Sequence, residues 1–289
     1  MQFNFLETID NLITALIYLI VSFVLFLIGK KVYQLFHRSI NMDQELVEKD
    51  NLAFSFANVG YYIAMVIVIS AVYSGEGIGH IVDDLIEVGI YGLLSIFLLN
   101  VSILISDKVI LRKFSIKKEI VEDQNVGVGI LEAAICIANS LVIYGVITEN
   151  QDNFFEILIL WLIAQFVLAL VSVVYNKITP YDIHEYIKKD NVAVGIGFSG
   201  AIVAVANLVR FGTQMEADSW IVVGENLLLE TGIGLLLLPL ARVLTDKILL
   251  PKRNLTDEIV NQEKPNNGAA IIEAFSYIGG SILICLSFA

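Results

Sequence analysis

The chain has 289 residues and a net charge of −12; 57% of its residues are hydrophobic and 17% are charged. Its mean hydropathy of +0.76 is too high for a soluble domain, whose core could not bury so many apolar side chains. The negative charge excludes nucleic acid as an expected partner, because neutralising phosphates requires clustered Lys and Arg. Composition therefore predicts an integral membrane protein.

Eight apolar windows follow one another along the chain, each near the roughly 20 residues that a helix needs to cross a bilayer. They cover residues 12–33, 52–74, 85–107, 126–147, 154–176, 192–213, 221–245 and 267–288. A single segment in lipid can satisfy its backbone hydrogen bonds only as a helix. The sequence thus predicts an all-α integral membrane fold with eight transmembrane helices, arranged as four helical hairpins.

Basic residues are distributed very unevenly among the connections. The odd-numbered connections and their flanks hold Lys30, Lys31, Arg38, Lys49, Lys108, Arg112, Lys113, Lys117, Lys118, Lys177, Lys188, Lys189, Arg242, Lys247, Lys252, Arg253 and Lys264. The even-numbered connections and both termini hold only Arg210. Because positive residues near span ends are retained in the cytoplasm, we expect four cytoplasmic connections and two non-cytoplasmic termini.

A fourfold internal repeat accompanies these connections. Each one carries a Glu and, six to eight residues later, an Asn that leads into small residues: Glu45 and Asn51, Glu119 and Asn125, Glu185 and Asn191, Glu258 and Asn266. Alternate units match best, since Glu132 recurs as Glu273 and Asp107-Lys108 as Asp246-Lys247. This predicts two four-helix repeats, residues 1–148 and 149–289. Both would insert the same way up, related by a pseudo-twofold axis along the membrane normal.

The segment Ile178-Thr179-Pro180-Tyr181-Asp182, followed by Ile187 to Ala193, carries a family resemblance. It is similar to the YjfL-type bacterial membrane proteins, the domain of unknown function 350. Members are short chains of about four spans, so the sequence resembles two family units in tandem; the first half lacks the Thr-Pro pair. The resemblance implies a multi-pass protein of the bacterial inner membrane, sometimes encoded beside envelope-stress genes. It implies no activity and no site residues.

Asn51, Asn125, Asn191 and Asn266 are placed to cap the even-numbered spans by accepting a hydrogen bond from unpaired backbone amides. The small residues that follow allow close helix packing, which predicts that the even spans form the tightly packed inner set. An alternative is that four helix ends converge and hold an anion or a lipid headgroup.

Glu132 and Glu273 indicate a functional site more specifically than the asparagines do. Each lies seven residues beyond its Asn and so about 10 Å along the helix. An acid at that depth must pair, stay protonated or face the protein interior. Arg242 lies at a similar depth and is a candidate partner for one of them. A structural ion pair or neutral acid and a role in proton or cation handling are both open explanations.

No stretch fits a Walker loop, a dinucleotide fingerprint, a nucleophile elbow or a zinc-binding helix. The three histidines and two cysteines show no metal-ligand spacing, and the connections are too short for a catalytic domain. We therefore expect no metal, no cofactor and no enzyme activity.

Two functions are compatible with the sequence. The first is a channel or transporter for a small cation, proton or solute along the axis between the repeats, with Glu45, Glu119, Glu185 and Glu258 forming an acidic cytoplasmic mouth. The second is a membrane scaffold whose mixed-charge connections recruit cytoplasmic partners in an envelope-stress response. The expected partner is the lipid bilayer, and a homo-oligomer of the chain is a further hypothesis.

Overall fold

The computed structural model describes residues 5–38, 40–74, 80–111, 115, 117–149, 151, 153–215, 219–250 and 253–288. Within these residues the chain forms ten α-helices: α1 (Phe5–Phe36), α2 (Leu52–Val72), α3 (Ile81–Val109), α4 (Val126–Glu149), α5 (Phe154–Ile178), α6 (Ile183–Lys188), α7 (Val192–Gln214), α8 (Trp220–Leu244), α9 (Leu255–Val260) and α10 (Asn267–Phe288). Three π-helical turns, Gln44–Glu48, Lys117–Glu122 and Thr245–Leu249, follow α1, α3 and α8.

Eight of these helices are long and apolar enough to cross a membrane, which confirms the predicted spans. They are α1, α2, α3, α4, α5, α7, α8 and α10, whereas α6 and α9 have only six residues each. Large apolar side chains such as Phe155 and Leu228, each 76% exposed, cover the outside of the bundle. A surface of this kind is stable in lipid rather than in water.

The spans form two layers, each a row of four helices. In the inner row, α2 packs on α4, α4 on α7 and α7 on α10. In the outer row, α1 contacts α3, α3 contacts α5 and α5 contacts α8, and each outer helix also covers its inner neighbours. The interface between the two halves, α4 against α7, is therefore one more step of the same row. The pseudo-twofold relation of the halves stays a prediction.

Small residues at repeated positions set the spacing of the inner row. A Cβ added to Gly129 would lie 2.7 Å from the Ala53 Cα atom, and one added to Gly195 would lie 2.8 Å from the Gly127 Cα atom. Distances this short leave no room for a side chain, so the backbones touch directly. This close contact is the packing mode that small residues permit in membranes.

The even spans make up the closely packed inner row, and their burial is greatest in the middle of the row and least in α10. In α7, 78% of the most apolar window is buried, and in α4 72%, against 33% in α10. The reason is position, because α10 has an inner-row neighbour on one side only within the described residues. Small residues in a span therefore indicate a close contact on at least one face, without requiring that the whole helix be enclosed.

Candidate functional site

The four capping asparagines lie at the N-terminal ends of the four inner-row helices. We call this side of the bundle the cap side. Asn51 Oδ1 accepts from the Phe54 amide at 3.0 Å, and Asn125 Oδ1 accepts from the Val128 amide at 3.1 Å. Asn191 and Asn266 accept in the same way from the amides three residues ahead, each at 3.1 Å. Each Asn thus caps its own span at the N-terminus.

Three of these asparagines also join neighbouring repeat units. Asn51 Nδ2 donates to the Ile120 carbonyl at 2.8 Å, and Asn125 Nδ2 to the Ile187 carbonyl at 2.8 Å. Asn191 Nδ2 continues the series with the Ile259 carbonyl at 2.9 Å. Since each side chain uses both its oxygen and its nitrogen in this way, its role in the structure is to fix one unit to the next.

The backbone approaches three of the caps in an unusual conformation. Asp50, Gln124 and Asp190, each directly before its Asn, have φ angles of 49°, 51° and 61°. Non-glycine residues adopt this left-handed region infrequently, so its recurrence at one position is a feature of the repeat. The turn aims each Asn at both its own helix and the neighbouring unit.

The glutamates predicted to form an acidic mouth are instead bonded within their own connections. Glu45 is buried and accepts from Lys49 Nζ at 2.6 Å and from Asn51 Nδ2 at 2.9 Å. Burial on its own would raise the pKa of Glu45, but these hydrogen bonds and the Lys49 charge lower it below its usual value. Glu45 is therefore a structural anion that holds Lys49 and a cap.

Each of the other three keeps part of this arrangement, with either the bond to the Asn or the pair with the Lys. Glu119 accepts from Asn125 Nδ2 at 3.2 Å, and Glu258 accepts from Asn266 Nδ2 at 3.0 Å. Glu185 is exposed and pairs with Lys189 at 2.6 Å. The four caps succeed one another along the row instead of converging, so the geometry does not favour the alternative of a shared anion or headgroup site.

A polar cluster around Glu273 lies between α7, α8 and α10. Arg242 Nη1 lies 2.5 Å from Glu273 Oε1, and the Tyr277 hydroxyl donates to the same oxygen at 2.8 Å. Arg242 Nη2 donates to Thr256 Oγ1 at 3.0 Å, and the guanidinium stands 5.6 Å from the centre of the Tyr181 ring. The structure thus places Arg242 beside Glu273, where it neutralises that carboxylate.

A second cluster surrounds Glu132 in the first half, and its composition differs. Glu132 is 2% exposed, and its Oε2 atom has no hydrogen-bond partner. Asp107 of α3 is close enough to interact electrostatically, and its buried Oδ1 atom is also without a partner. No Lys or Arg in the described part of the chain forms an ion pair with either acid. Arg112 and Lys113 lie outside the described residues.

Tyr33 and Cys136 border this acid pair, and Tyr61 packs against Tyr33. Tyr33 of α1 lies within electrostatic range of Glu132, Asp107 and Cys136, and its ring centroid is 4.3 Å from that of Tyr61. The Tyr61 hydroxyl donates to the Gly29 carbonyl at 2.9 Å and accepts from Asn100 Nδ2 at 3.1 Å. The cluster therefore draws residues from all four spans of the first half.

Sequence reasoning singled out Glu132 and Glu273 but overlooked Asp107, Tyr33 and Tyr61 as their neighbours. Asp107 carried a usable signal, because an acid recurring as Asp246 near the end of a span is costly to keep in lipid. The two tyrosines carried no such signal in the sequence.

Arg210 lies near the other membrane face. It donates to Asn207 at 3.2 Å and to Gln214 at 2.6 Å, so neighbouring side chains hold it in place.

A family model described as Domain of Unknown Function (DUF350) matches the chain twice, over residues 7–147 and 149–288. The chain belongs to this family. The two matches are the tandem units suggested by the resemblance, and each DUF350 unit contains one of the two acid clusters. Among the residues that the structure describes, none form a group of three or more His, Cys, Asp and Glu suited to a metal ion.

One relative of this DUF350 chain is named "UPF0719 transmembrane protein" and comes from Aquifex aeolicus (strain VF5). It is 24% identical over 181 residues, which is 62% of this chain and 64% of the relative, so the chain spans less than two thirds of that relative's length. No solved structure matches the chain. With eight apolar helices and a transmembrane relative, the chain is a multi-pass membrane protein of an uncharacterised family.

Proposed function

We propose that the protein is a channel or transporter for protons or another small cation, and that the acid pair Glu132 and Asp107 is its central site. The observation that carries the proposal is that each residue has a buried carboxylate oxygen without a hydrogen-bond partner and, unlike Glu273, forms no ion pair with a described Lys or Arg. A buried acid with a second, partly buried acid beside it is costly unless a positive charge joins them, and such residues commonly mark ion or proton pathways. Since no described Lys or Arg is paired with either acid, we infer that the pair binds a positive charge from elsewhere.

The close packing of α4 on α7 changes where we place the path. Gly127 and Gly195 bring the two backbones into contact, which leaves little space on the axis between the halves. The acid pair lies instead within the first half, where α1, α2, α3 and α4 meet. The proposed path thus runs through the first DUF350 unit rather than between the units.

An entry from the cap side is supported by His37, which follows α1 directly. Its ring centroid is 4.1 Å from that of Tyr33, and its Nδ1 atom lies 3.0 Å from the Tyr33 carbonyl oxygen. Burial lowers the pKa of His37, and the hydrogen bond to Tyr33 only partly opposes this effect. A neutral imidazole at this position can take up a proton from the cap side, beside the Tyr33 ring that lies within electrostatic range of the acid pair.

We also propose that the protein resides in the bacterial inner membrane with the cap side in the cytoplasm. Lys and Arg concentrated in the connections on that side support this orientation. Single cysteines at the exposed positions Glu48 and Asp83 test it, in a background lacking Cys136 and Cys285. In intact spheroplasts, a membrane-impermeant maleimide is expected to label Asp83→Cys, and to label Glu48→Cys only after permeabilisation. The reverse pattern would contradict the orientation.

Proton and cation flux in proteoliposomes tests the transport function. Glu132→Gln keeps the size of the side chain and removes its charge, so we expect flux to fall by roughly a hundredfold, as for the loss of a proton-transfer group. Glu225→Gln is the matched control, because Glu225 is an exposed acid on α8 and its loss should leave flux unchanged. Equal flux through the wild type and Glu132→Gln would remove Glu132 from the path, and no flux above that of empty liposomes would refute the proposal.

A further inference from the structure

The two acid clusters are built on equivalent positions of the repeat. Counting along the paired spans, the equivalent residues are Asp107 and Asp246, Glu132 and Glu273, Cys136 and Tyr277, and Ile103 and Arg242. The acidic members are the same in both halves. The one change of charge is at the last pair, where the first half has an isoleucine and the second half an arginine.

In the second half, the guanidinium of Arg242 is bound on three sides. Its guanidinium contacts the Glu273 carboxylate, the Thr256 hydroxyl and the face of the Tyr181 ring. An arginine is effectively always protonated in proteins, and these three contacts fix its orientation. The second cluster therefore holds a permanent positive charge that cannot leave.

Ile103 in the first half is only 2% exposed, so an apolar side chain occupies the equivalent position on α3. Tyr33 from α1, Asp107 from α3 and Cys136 from α4 lie within electrostatic range of Glu132. None of these carries a positive charge. Within the part of the chain that the structure describes, the first cluster has the acids of the second one without an ion-paired Lys or Arg.

We propose that the first cluster takes up one exchangeable monocation, a proton or an alkali ion, in the role that the Arg242 guanidinium fills permanently in the second cluster. This inference rests on the proposed function and deepens it. The two DUF350 units are then unequal: the first exchanges its cation with the surroundings, and the second is a locked copy that stabilises the bundle.

Placing an arginine at the equivalent position of the first half tests this difference between the two units. Ile103→Arg supplies the first cluster with its own cation, so the flux through proteoliposomes should fall at least tenfold below that of Ile103→Met, the control of similar length without charge. Gel filtration and thermal unfolding in detergent establish that both variants are folded. A folded Ile103→Arg protein with the flux of Ile103→Met would overturn the inference.

Infrared spectroscopy of the purified protein gives a second readout that depends on neither flux nor the folding of Ile103→Arg. If the ligand is a proton, the wild type shows the carbonyl band of a protonated carboxyl group, which Glu132→Gln or Asp107→Asn removes and Glu273→Gln leaves in place. If the ligand is an alkali ion, sodium or potassium chloride raises the melting temperature of the wild type more than that of Glu132→Gln, with choline chloride as the ionic-strength control.

These outcomes separate the two proposals. A first-cluster band or an alkali-ion shift without measurable flux would refute transport and support the exchangeable cation. The absence of both signals would overturn the exchangeable cation, whatever the flux. A carboxyl band that disappears in Glu273→Gln and persists in Glu132→Gln would overturn it as well, because it would assign the exchangeable proton to the second half.

Discussion

Replacing Arg242 by methionine is expected to lower the free energy of unfolding by about 3–5 kcal/mol, which is the usual effect of removing one partner of a buried ion pair. The large loss arises because Glu273 is fully buried and, without its counter-ion, must either carry an unpaired charge or take up a proton. Thermal unfolding in detergent with a thiol-reactive dye measures it, since Cys136 and Cys285 are buried and react only as the helices separate. In acidic buffer the loss should shrink, because a proton on Glu273 then replaces the missing charge.

Two further variants separate the charge effect from a packing effect. Arg242→Met combined with Glu273→Met should recover most of the lost stability, since an apolar pair of similar volume can replace a buried ion pair. Arg210→Met is the matched control, because among the described residues Arg210 donates to the neutral Asn207 and Gln214 and forms no ion pair, so it should be lost at a smaller cost. A double variant as unstable as Arg242→Met would show that the arginine acts through its shape.

Replacing Gly129 by valine is expected to destabilise the inner row by about 3 kcal/mol, at the upper end of the usual cost of overpacking. The new side chain would meet the Ala53 backbone, with the Ala53 Cα atom 2.7 Å from the new Cβ atom. A backbone cannot turn away as a flexible side chain can, so α2 and α4 must separate. The melting temperature in detergent, followed with the same dye, measures the effect.

Gly89→Val is the control for this substitution. Gly89 lies in α3 with nothing within 4 Å of an added Cβ atom, so the change has the same effect on helix propensity and makes no new contact. The difference between the two variants isolates the contact of α2 with α4. Equal melting temperatures would show that the row tolerates wider spacing than its glycines indicate.

The sequence was informative where one physical requirement acts on a single segment. Each apolar window had to become a helix in lipid, and Asn51, Asn125, Asn191 and Asn266 each precede a span that needs a cap, so both features could be predicted locally. The acidic mouth could not be assessed in this way. Whether Glu45 faces the solvent depends on Lys49 and on the turn that places Asn51, and the structure turns it inward.

The partner of Arg242 likewise could not be predicted from the sequence of its own helix. Its depth made it a candidate for either Glu132 or Glu273, since both glutamates lie at matching heights in equivalent helices. The choice follows from which outer helix covers which inner helix, and α8 packs against α10. Asp107 was missed for a related reason: its proximity to Glu132 arises from the contact of α3 with α4, which leaves no trace in the periodicity of either helix.

The sequence by itself determined that this chain crosses a membrane eight times, in four hairpins and two similar halves, because backbone hydrogen bonding in lipid and the repeat act along the chain. Only the tertiary structure decided that the inner spans form a row, that Glu273 has a cation, and that Glu132 and Asp107 lie close together without an ion pair to a described Lys or Arg. These features depend on distances between separate helices, which are set by the glycines that let backbones touch and by the asparagines that join one unit to the next.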